Sequence, residues 1–133
     1  STVDIEDLAP SAKAIIARLN EVNPDLIVIE LGDGILGGYS VDTVLADSEL
    51  LDATAALVFC ASDYVGAWGG IELLRRCGVE VDVISGSVTD SKMGEDYIQT
   101  QFNVPASNAR REGGALFELV MKRVAARQVV RVA

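Results

Sequence analysis

A glycine-rich loop after an apolar run contains the residues whose types and spacing are best suited to chemistry. The run Leu26 to Glu30 is rich in β-branched residues and lies between turn signals, which predicts a strand buried on both faces. The loop that follows matches G-x-G-x-x-G at Gly32, Gly34 and Gly37, a pattern that lets backbone approach a pyrophosphate. These three glycines therefore predict a site for NAD(P) or FAD. The match has a flaw, because the next helix is expected only from about Val41 and not among the glycines.

Two acids beside these glycines are candidate metal ligands. Glu30 ends the predicted strand and Asp33 lies within the loop, where carboxylates can hold Mg²⁺ through water beside a phosphate. The same loop fits the first part of a phosphate-binding P-loop. However, Gly38 stands where a lysine should reach the phosphates, and Tyr39 stands where a small hydroxyl should hold magnesium. The loop is therefore not a working Walker A motif.

Polar residues also follow the other predicted strands, residues 55–61, 79–84 and 104–108. Because parallel strands end at one edge of a sheet, these residues should converge there and contact a small-molecule ligand. The alternative is that they are solvated or cap the following helices. The candidates are Asp63, Ser85, Thr89, Asp90 and Asn108.

The chain contains no histidine, which excludes an imidazole base, a Ser-His pair and most zinc sites. Any acid-base chemistry must use carboxylates, lysine, tyrosine or water. The two cysteines, Cys60 and Cys77, do not form a disulfide framework. Their positions in an apolar strand and at the end of a helix predict small buried apolar side chains.

Helical and strand patterns alternate along the chain. Apolar residues at three- and four-residue spacing predict helices to about Val22, from Val41, over residues 65–77 and 93–103, and after Gly114. With the four strands between them, this order predicts a single α/β domain over residues 1–133. The expected architecture is a doubly wound three-layer αβα sandwich, Rossmann-like or P-loop-like, on a parallel sheet of about four strands.

The composition limits the partners. A formal charge of -9 and a pI near 4.3 argue against binding to nucleic acid, because the phosphate backbone repels an acidic protein. No apolar stretch approaches the roughly 18 residues that cross a bilayer, so no membrane partner is expected. No secretion signal is visible either, and a cytoplasmic location follows as an expectation.

The order of the motifs resembles a known family. The segments 25–34, 57–63, 84–90 and 104–108 are similar to the C-terminal half of a P-loop NTPase domain, as in dethiobiotin synthetase-like proteins and an uncharacterised group related to them. The resemblance implies that Glu30 takes the position of the Walker B acid and that the loop from Ser85 to Asp90 faces the nucleotide base. It also implies that the Walker A segment would lie before Ser1, in a longer natural chain.

Three functions are compatible with these patterns. The first is a module of a nucleotide-dependent enzyme that uses ATP with Mg²⁺ and is not catalytically complete alone. The second is a non-catalytic domain that binds a small molecule or a protein, and the third is the NAD(P) or FAD domain. A sheet that lacks its first strand would leave an open edge, so self-association into a homo-oligomer, or contact with a missing N-terminal segment, is also expected.

Overall fold

The computed structural model describes residues 8–127, which fall into two compact units, residues 8–53 and residues 54–127. Helices make up 54% of the described residues. Strands β1 and β2 form one small parallel sheet. In chain order the elements are α1 (Leu8–Asn20), α2 (Val41–Leu45), α3 (Ser48–Ala53), β1 (Val58–Cys60), α4 (Tyr64–Arg76), β2 (Val83–Ser85), a 3₁₀ turn (Ser87–Thr89), α5 (Lys92–Phe102) and α6 (Gly113–Ala126).

The first unit, residues 8–53, contains α1, α2 and α3 and buries few side chains. Helix α1 packs against α2, and α2 packs against α3. The Lys13 ammonium bridges the carboxylates of Asp47 and Glu49, at 3.1 Å from each. Val41 and Leu50 are the large apolar residues of the described part of this unit that are buried. Most apolar side chains of α1 therefore remain in contact with solvent.

The predicted strand at residues 26–30 is wrong. No backbone hydrogen bond joins residues 26–31 to another described residue, and no strand is assigned there. Val28 is 86% exposed and Ile29 is 56% exposed. A β-branched sequence favours an extended backbone, but a strand also needs a neighbour that pairs with its N–H and C=O groups. The segment lacks that neighbour among the described residues.

The second unit, residues 54–127, is organised around the parallel pair of β1 and β2, in which Phe59 is the register partner of Ile84. A third chain segment joins on the other side of β2 through a single parallel bridge between Ile84 and Ala106. The core beneath this sheet consists of buried residues from strands, turn and helices: Ala61, Ala67, Ile84, Val88, Ile98 and Ala106.

The expected three-layer sandwich on a parallel sheet of about four strands is also wrong. The described residues form a helix-rich structure with two three-residue strands in one sheet. The predicted strand over residues 55–61 is reduced to Val58–Cys60, and the predicted strand over residues 104–108 is reduced to the bridge at Ala106. Apolar runs indicate where extended chain can be buried, whereas the length of a strand is set by how many partner residues lie in register.

Asp82 joins α6 to the amino end of β2. The sequence V-E-V-D-V-I predicts one half-exposed strand face, but the Asp82 carboxylate is buried. It accepts hydrogen bonds from the Leu57 backbone N–H at 2.8 Å and from Arg123 Nε at 2.8 Å. Arg127 Nη1 lies 3.4 Å from Asp82 Oδ2, the same oxygen that accepts from the Leu57 N–H. A buried carboxylate is tolerated only with such partners, so this ion pair is part of the unit's interior.

The prediction that Cys60 and Cys77 are buried is wrong, because both residues are exposed. Both are free thiols, as expected from the absence of a disulfide framework. Finally, within residues 8–127 no helix is both long enough and apolar enough to cross a membrane.

Candidate functional site

Four of the predicted site residues come together at the carboxyl edge of the small sheet. Strand β2 ends at Ser85, and the chain then forms the 3₁₀ turn that contains Thr89, followed by Asp90. The segment bridged to β2 at Ala106 ends at Asn108 on the same edge, because its direction is parallel to β2. The structure therefore brings Ser85, Thr89, Asp90 and Asn108 together, while their role in binding a ligand stays a prediction.

Gly86 makes the turn from β2 possible. Its φ of +91° lies in the region that favours glycine. A Cβ atom at this position would come within 2.6 Å of the Ala61 carbonyl oxygen. The close approach lets the Val88 N–H donate to that same carbonyl, at 3.1 Å. Gly86 therefore positions the turn that carries Thr89 against the end of β1.

Asn108 holds the edge together through every polar group of its side chain. Its Nδ2 donates to Thr89 Oγ1 at 3.2 Å and to Asp90 Oδ1 at 3.0 Å. Its Oδ1 accepts from the backbone N–H groups of Arg110 and Arg111, at 3.0 and 2.9 Å. The side chain is buried, and a primary amide offers two donors and one carbonyl oxygen. Its hydrogen-bonding capacity is therefore used within the protein.

Glu95 is a buried acid in the same cluster. Its Oε1 accepts from Arg111 Nη2 at 2.8 Å and from the Asn108 backbone N–H at 3.2 Å. Its Oε2 lies 3.3 Å from Lys92 Nζ. The carboxylates of Asp96 and Glu95 together raise the pKa of Lys92 above its usual value. The two cations balance the buried charge, which explains why an acid can occupy this place.

We call these connected residues the Asn108 cluster: Ser85, Thr89, Asp90, Glu95, Asn108 and Arg111. Thr89, Glu95 and Asn108 form hydrogen bonds with other members. Ser85 Oγ accepts from the backbone N–H of Ala109, the neighbour of Asn108, at 3.2 Å. The parts that reach solvent are the exposed residue Asp90 and the Arg111 side chain, which is 39% exposed. Beside the cluster, Ser107 Oγ is buried and has no hydrogen-bond partner among the described residues. The cluster therefore forms a rigid polar edge with few open hydrogen-bonding positions.

Asp63 lies at the exit of β1 and caps α4. Its Oδ1 accepts from the Gly66 backbone N–H at 2.8 Å, which satisfies one of the free N–H groups at the helix start. The contact agrees with the alternative interpretation of Asp63 from the sequence, in which it caps the following helix and does not contact a ligand. No described hydrogen bond joins Asp63 to the Asn108 cluster.

The glycine-rich loop lies in the first unit, between the exposed apolar segment and α2. Gly32 has no positive φ, and a Cβ atom added there would meet open space, so the local structure does not require a glycine at this position. A Cβ atom at Gly37 would come within 2.6 Å of Asp33 Oδ2, which places the Asp33 side chain over the loop. Helix α2 begins at Val41, as expected, and therefore does not open among the glycines. A pyrophosphate would lack the helix N-terminus that the dinucleotide pattern uses.

The candidate metal ligands Glu30 and Asp33 are both exposed. Among residues 8–127, no three acidic or cysteine side chains come together as a metal-binding group. The interpretation of these two acids as Mg²⁺ ligands stays a prediction.

A cavity of about 320 Å³ lies near the opposite end of the second unit's sheet. Apolar residues such as Ile71 and Phe102 line it together with Arg75, Asp82 and Arg123. Three of its charged side chains already have partners, because Arg123 binds Asp82 and Arg75 binds Glu72 at 2.9 Å, and the fourth charged residue, Glu80, is exposed. We therefore assign no ligand to this cavity.

Comparison with protein-family models, with curated proteins and with solved structures finds no match to this chain. The resemblance to P-loop NTPases accordingly stays a prediction.

Sequence reasoning missed Glu95 and Asp82, the two buried acids of the second unit. The local sequence around Glu95 has the pattern of a helix start, in which an acid is favoured by the helix dipole and needs no buried partner. Asp82 carries a weak signal, since it is an acid between two valines of a predicted strand. Their partners Arg111 and Arg123 lie 16 and 41 residues away, so only the tertiary structure identifies the pairs.

Proposed function

We propose that this chain is a non-catalytic binding and assembly module that associates with a second copy of itself through residues 26–31. The observation that carries the proposal is the exposure of this segment, in which Val28 is 86% exposed and Ile29 is 56% exposed. Consecutive exposed apolar residues of this kind are characteristic of interaction sites.

The backbone of the segment supports the same proposal. Among the described residues, its N–H and C=O groups make no backbone hydrogen bond to another residue, and we propose that they pair across the interface. Two copies of one extended segment can pair around a two-fold axis, so that the same segment of each copy forms the interface. A second copy is also the one partner that is always present at the same concentration as the protein. Glu30 is the single charged residue of the segment, so the apolar contact would carry little charge repulsion.

Sedimentation velocity at micromolar concentrations tests the proposal. We expect the unmodified chain to sediment as a dimer and Val28→Asp to sediment as a monomer, because an interface would bury the new carboxylate without a partner. The association constant should fall at least about a hundredfold. Val22→Asp is the matched control, since Val22 is 80% exposed and lies outside the segment. A monomeric unmodified chain, or a Val28→Asp variant that still dimerises, would refute the proposal.

A second candidate function is the nucleotide-dependent module that uses ATP with Mg²⁺. It is supported by the convergence of Ser85, Thr89, Asp90 and Asn108 at one strand edge. The buried hydroxyl of Ser107, which has no hydrogen-bond partner among the described residues, lies beside this edge. The prediction that Glu30 and Asp33 hold Mg²⁺ belongs to the first unit and is tested separately.

Thermal unfolding with ATP, with and without Mg²⁺, tests this second candidate. A ligand that binds only the folded protein must raise the melting temperature. Magnesium alone tests the predicted metal ligands of the first unit: it should raise the melting temperature of the unmodified chain and of Asp25→Asn, but not that of the double variant Glu30→Gln, Asp33→Asn. If millimolar ATP with Mg²⁺ leaves the melting temperature of the unmodified chain unchanged, this candidate is wrong. The same titration with NAD(P) or FAD tests the dinucleotide interpretation of Gly32, Gly34 and Gly37.

A further inference from the structure

Helices α4 and α5 carry a group of exposed aromatic and apolar residues that the function proposed above does not use. Trp68 is 57% exposed, and Val65 and Met93 are each 75% exposed. Tyr64 and Tyr97 are 38% and 42% exposed. We call these five residues the aromatic surface. All of them lie in the second unit, residues 54–127.

The two helices place these side chains next to each other. On α4, Tyr64 and Trp68 are four residues apart, and on α5, Met93 and Tyr97 have the same spacing, so each pair shares one helix face. The Tyr64 and Tyr97 rings link the two helices, with a distance of 4.2 Å between their centroids. A shallow groove continues along α5 past Thr100 and Gln101. The result is a continuous surface on two packed helices.

The composition of this surface is that of a protein interface. Tryptophan, tyrosine and methionine are enriched in interface cores, and tryptophan and tyrosine dominate the residues that contribute most to affinity. Large apolar side chains that are exposed in the monomer lose their contact with water when a partner covers them, and this burial favours binding. Trp68 is the single tryptophan of the chain, and it lies one turn of α4 after Tyr64, which contacts Tyr97 of α5.

The charges around the aromatic surface determine which partner fits. Asp63 precedes Tyr64, and Asp96 precedes Tyr97 and lines the groove. The cation in these parts of the helices is Lys92, whose ammonium is shared between Asp96 and the buried Glu95, each at 3.3 Å. The faces of aromatic rings also attract cations. With a net charge of -9, the chain favours a basic partner over a second acidic copy at this surface.

We infer that the aromatic surface binds a cationic amphipathic helix of a partner protein. The apolar face of such a helix would pack on Trp68, Met93 and Tyr97, and its lysines or arginines would lie beside Asp63 and Asp96. This is helix-in-groove recognition, in which apolar anchors supply affinity and charges supply orientation. The inference goes beyond self-association through residues 26–31 and does not depend on it.

Fluorescence anisotropy with two labelled peptides tests the inference. Both peptides are helices of roughly 18 residues with the same leucine face, and their polar faces carry either lysine and arginine or glutamate. We expect the cationic peptide to bind and to change the emission of Trp68, whereas the glutamate peptide should not bind. Raising the salt concentration should weaken the cationic complex, because screening reduces the charge contribution. The experiment uses the unmodified chain and the Val28→Asp variant, so failure of self-association and failure of peptide binding can be distinguished.

Variants locate the binding site. Tyr97→Ala and Met93→Ala should each weaken binding of the cationic peptide at least about tenfold, as expected for central interface residues. Phe117→Ala is the matched control, because Phe117 is 62% exposed on α6 and lies outside the aromatic surface. Its affinity for the peptide should be unchanged. Circular dichroism of each variant shows whether it is folded.

Several outcomes would overturn the inference. Equal binding of both peptides would show a nonspecific apolar contact, and absence of binding would show that the surface does not recognise such helices. A change in Trp68 emission with protein concentration alone would identify a second copy as the occupant. Unchanged affinity in both Tyr97→Ala and Met93→Ala would place the peptide elsewhere on the chain.

Discussion

The two units of this chain use apolar residues in opposite ways. Among the described residues, 8–53 contain nine exposed large apolar side chains and bury two, Val41 and Leu50. Residues 54–127 contain seven exposed ones but enclose a core around Ile84 and Ile98, both of which are 0% exposed. Each unit has an apolar run typical of strands, yet only the runs of the second unit pair with each other. The difference shows that an apolar run becomes a buried strand only where a partner backbone is in register.

The largest expected difference between the two units is in the free energy of unfolding that is lost when an isoleucine is replaced by alanine. Ile98→Ala should destabilise the protein by about 2–5 kcal/mol, because it leaves a cavity in a closely packed core. Ile29→Ala should change the free energy of unfolding by less than about 0.5 kcal/mol, since Ile29 is 56% exposed. Urea unfolding, at concentrations where the chain is monomeric, measures both values. Equal costs would show that residues 26–31 are buried in the folded monomer.

A glycine in each unit gives the next largest difference. A Cβ atom at Gly94 would collide with the Val88 carbonyl oxygen, so Gly94→Ala should cost about 1–3 kcal/mol through overpacking. Gly32 has open space and no positive φ, so Gly32→Ala should be neutral or slightly stabilising. Thermal unfolding compares the two variants. A large cost for Gly32→Ala would indicate a close approach at the glycine-rich loop and would favour the dinucleotide interpretation.

The smallest expected effect concerns the half-buried ion pair between Lys13 and Asp47 in the first unit. Two hydrogen bonds lower the pKa of Asp47 below its usual 3.8. The larger effect comes from the Leu50 N–H and the smaller from the Lys13 ammonium. Its contribution to stability is therefore present above pH 3.8 and is lost as the pH falls through the lowered pKa. Hydrogen bonds to Asp47 and Glu49 raise the pKa of Lys13 above 10.5, so its contribution is present below pH 10.5 and is lost as the pH rises through the raised pKa.

The Leu50 amide proton reports on this pair, because that N–H donates to Asp47 Oδ1 at 3.0 Å. Its chemical shift, followed by NMR, should titrate with an apparent pKa below 3.8. In Lys13→Met the apparent pKa should move upward but should not reach its usual value, since the backbone hydrogen bond remains. A titration at 3.8 or above in the unmodified chain would contradict the assigned contact.

Helices α4 and α5 are predictable from the sequence to within one residue at each end. The pattern over residues 65–77 corresponds to α4, Tyr64–Arg76, and the pattern over 93–103 corresponds to α5, Lys92–Phe102. A helix satisfies its own backbone hydrogen bonds within a short stretch of chain, so local spacing and caps are sufficient. Ser91 illustrates this, because its Oγ accepts from the Gly94 N–H at 3.1 Å and fixes the start of α5.

The candidate site was predictable in part. Strand-end reasoning identified Ser85, Thr89, Asp90 and Asn108 as neighbours, because parallel strands deliver their exits to one edge. It could not show that the Asn108 amide binds Thr89 and Asp90, or that Glu95 lies buried beneath Arg111. These contacts change the interpretation of the edge, since most of its polar groups are satisfied within the protein.

By itself, the sequence determined the positions of α4 and α5 and the polar character of the chain segments that leave the strands. These properties depend on neighbours within a few residues, so they are present in the local pattern. Only the tertiary structure decided that residues 26–31 stay exposed while β1 and β2 pair, and that Asp82 and Glu95 are buried with distant arginines. Strand pairing and the burial of charge depend on a partner that lies far along the chain, and no local pattern specifies whether that partner is in place.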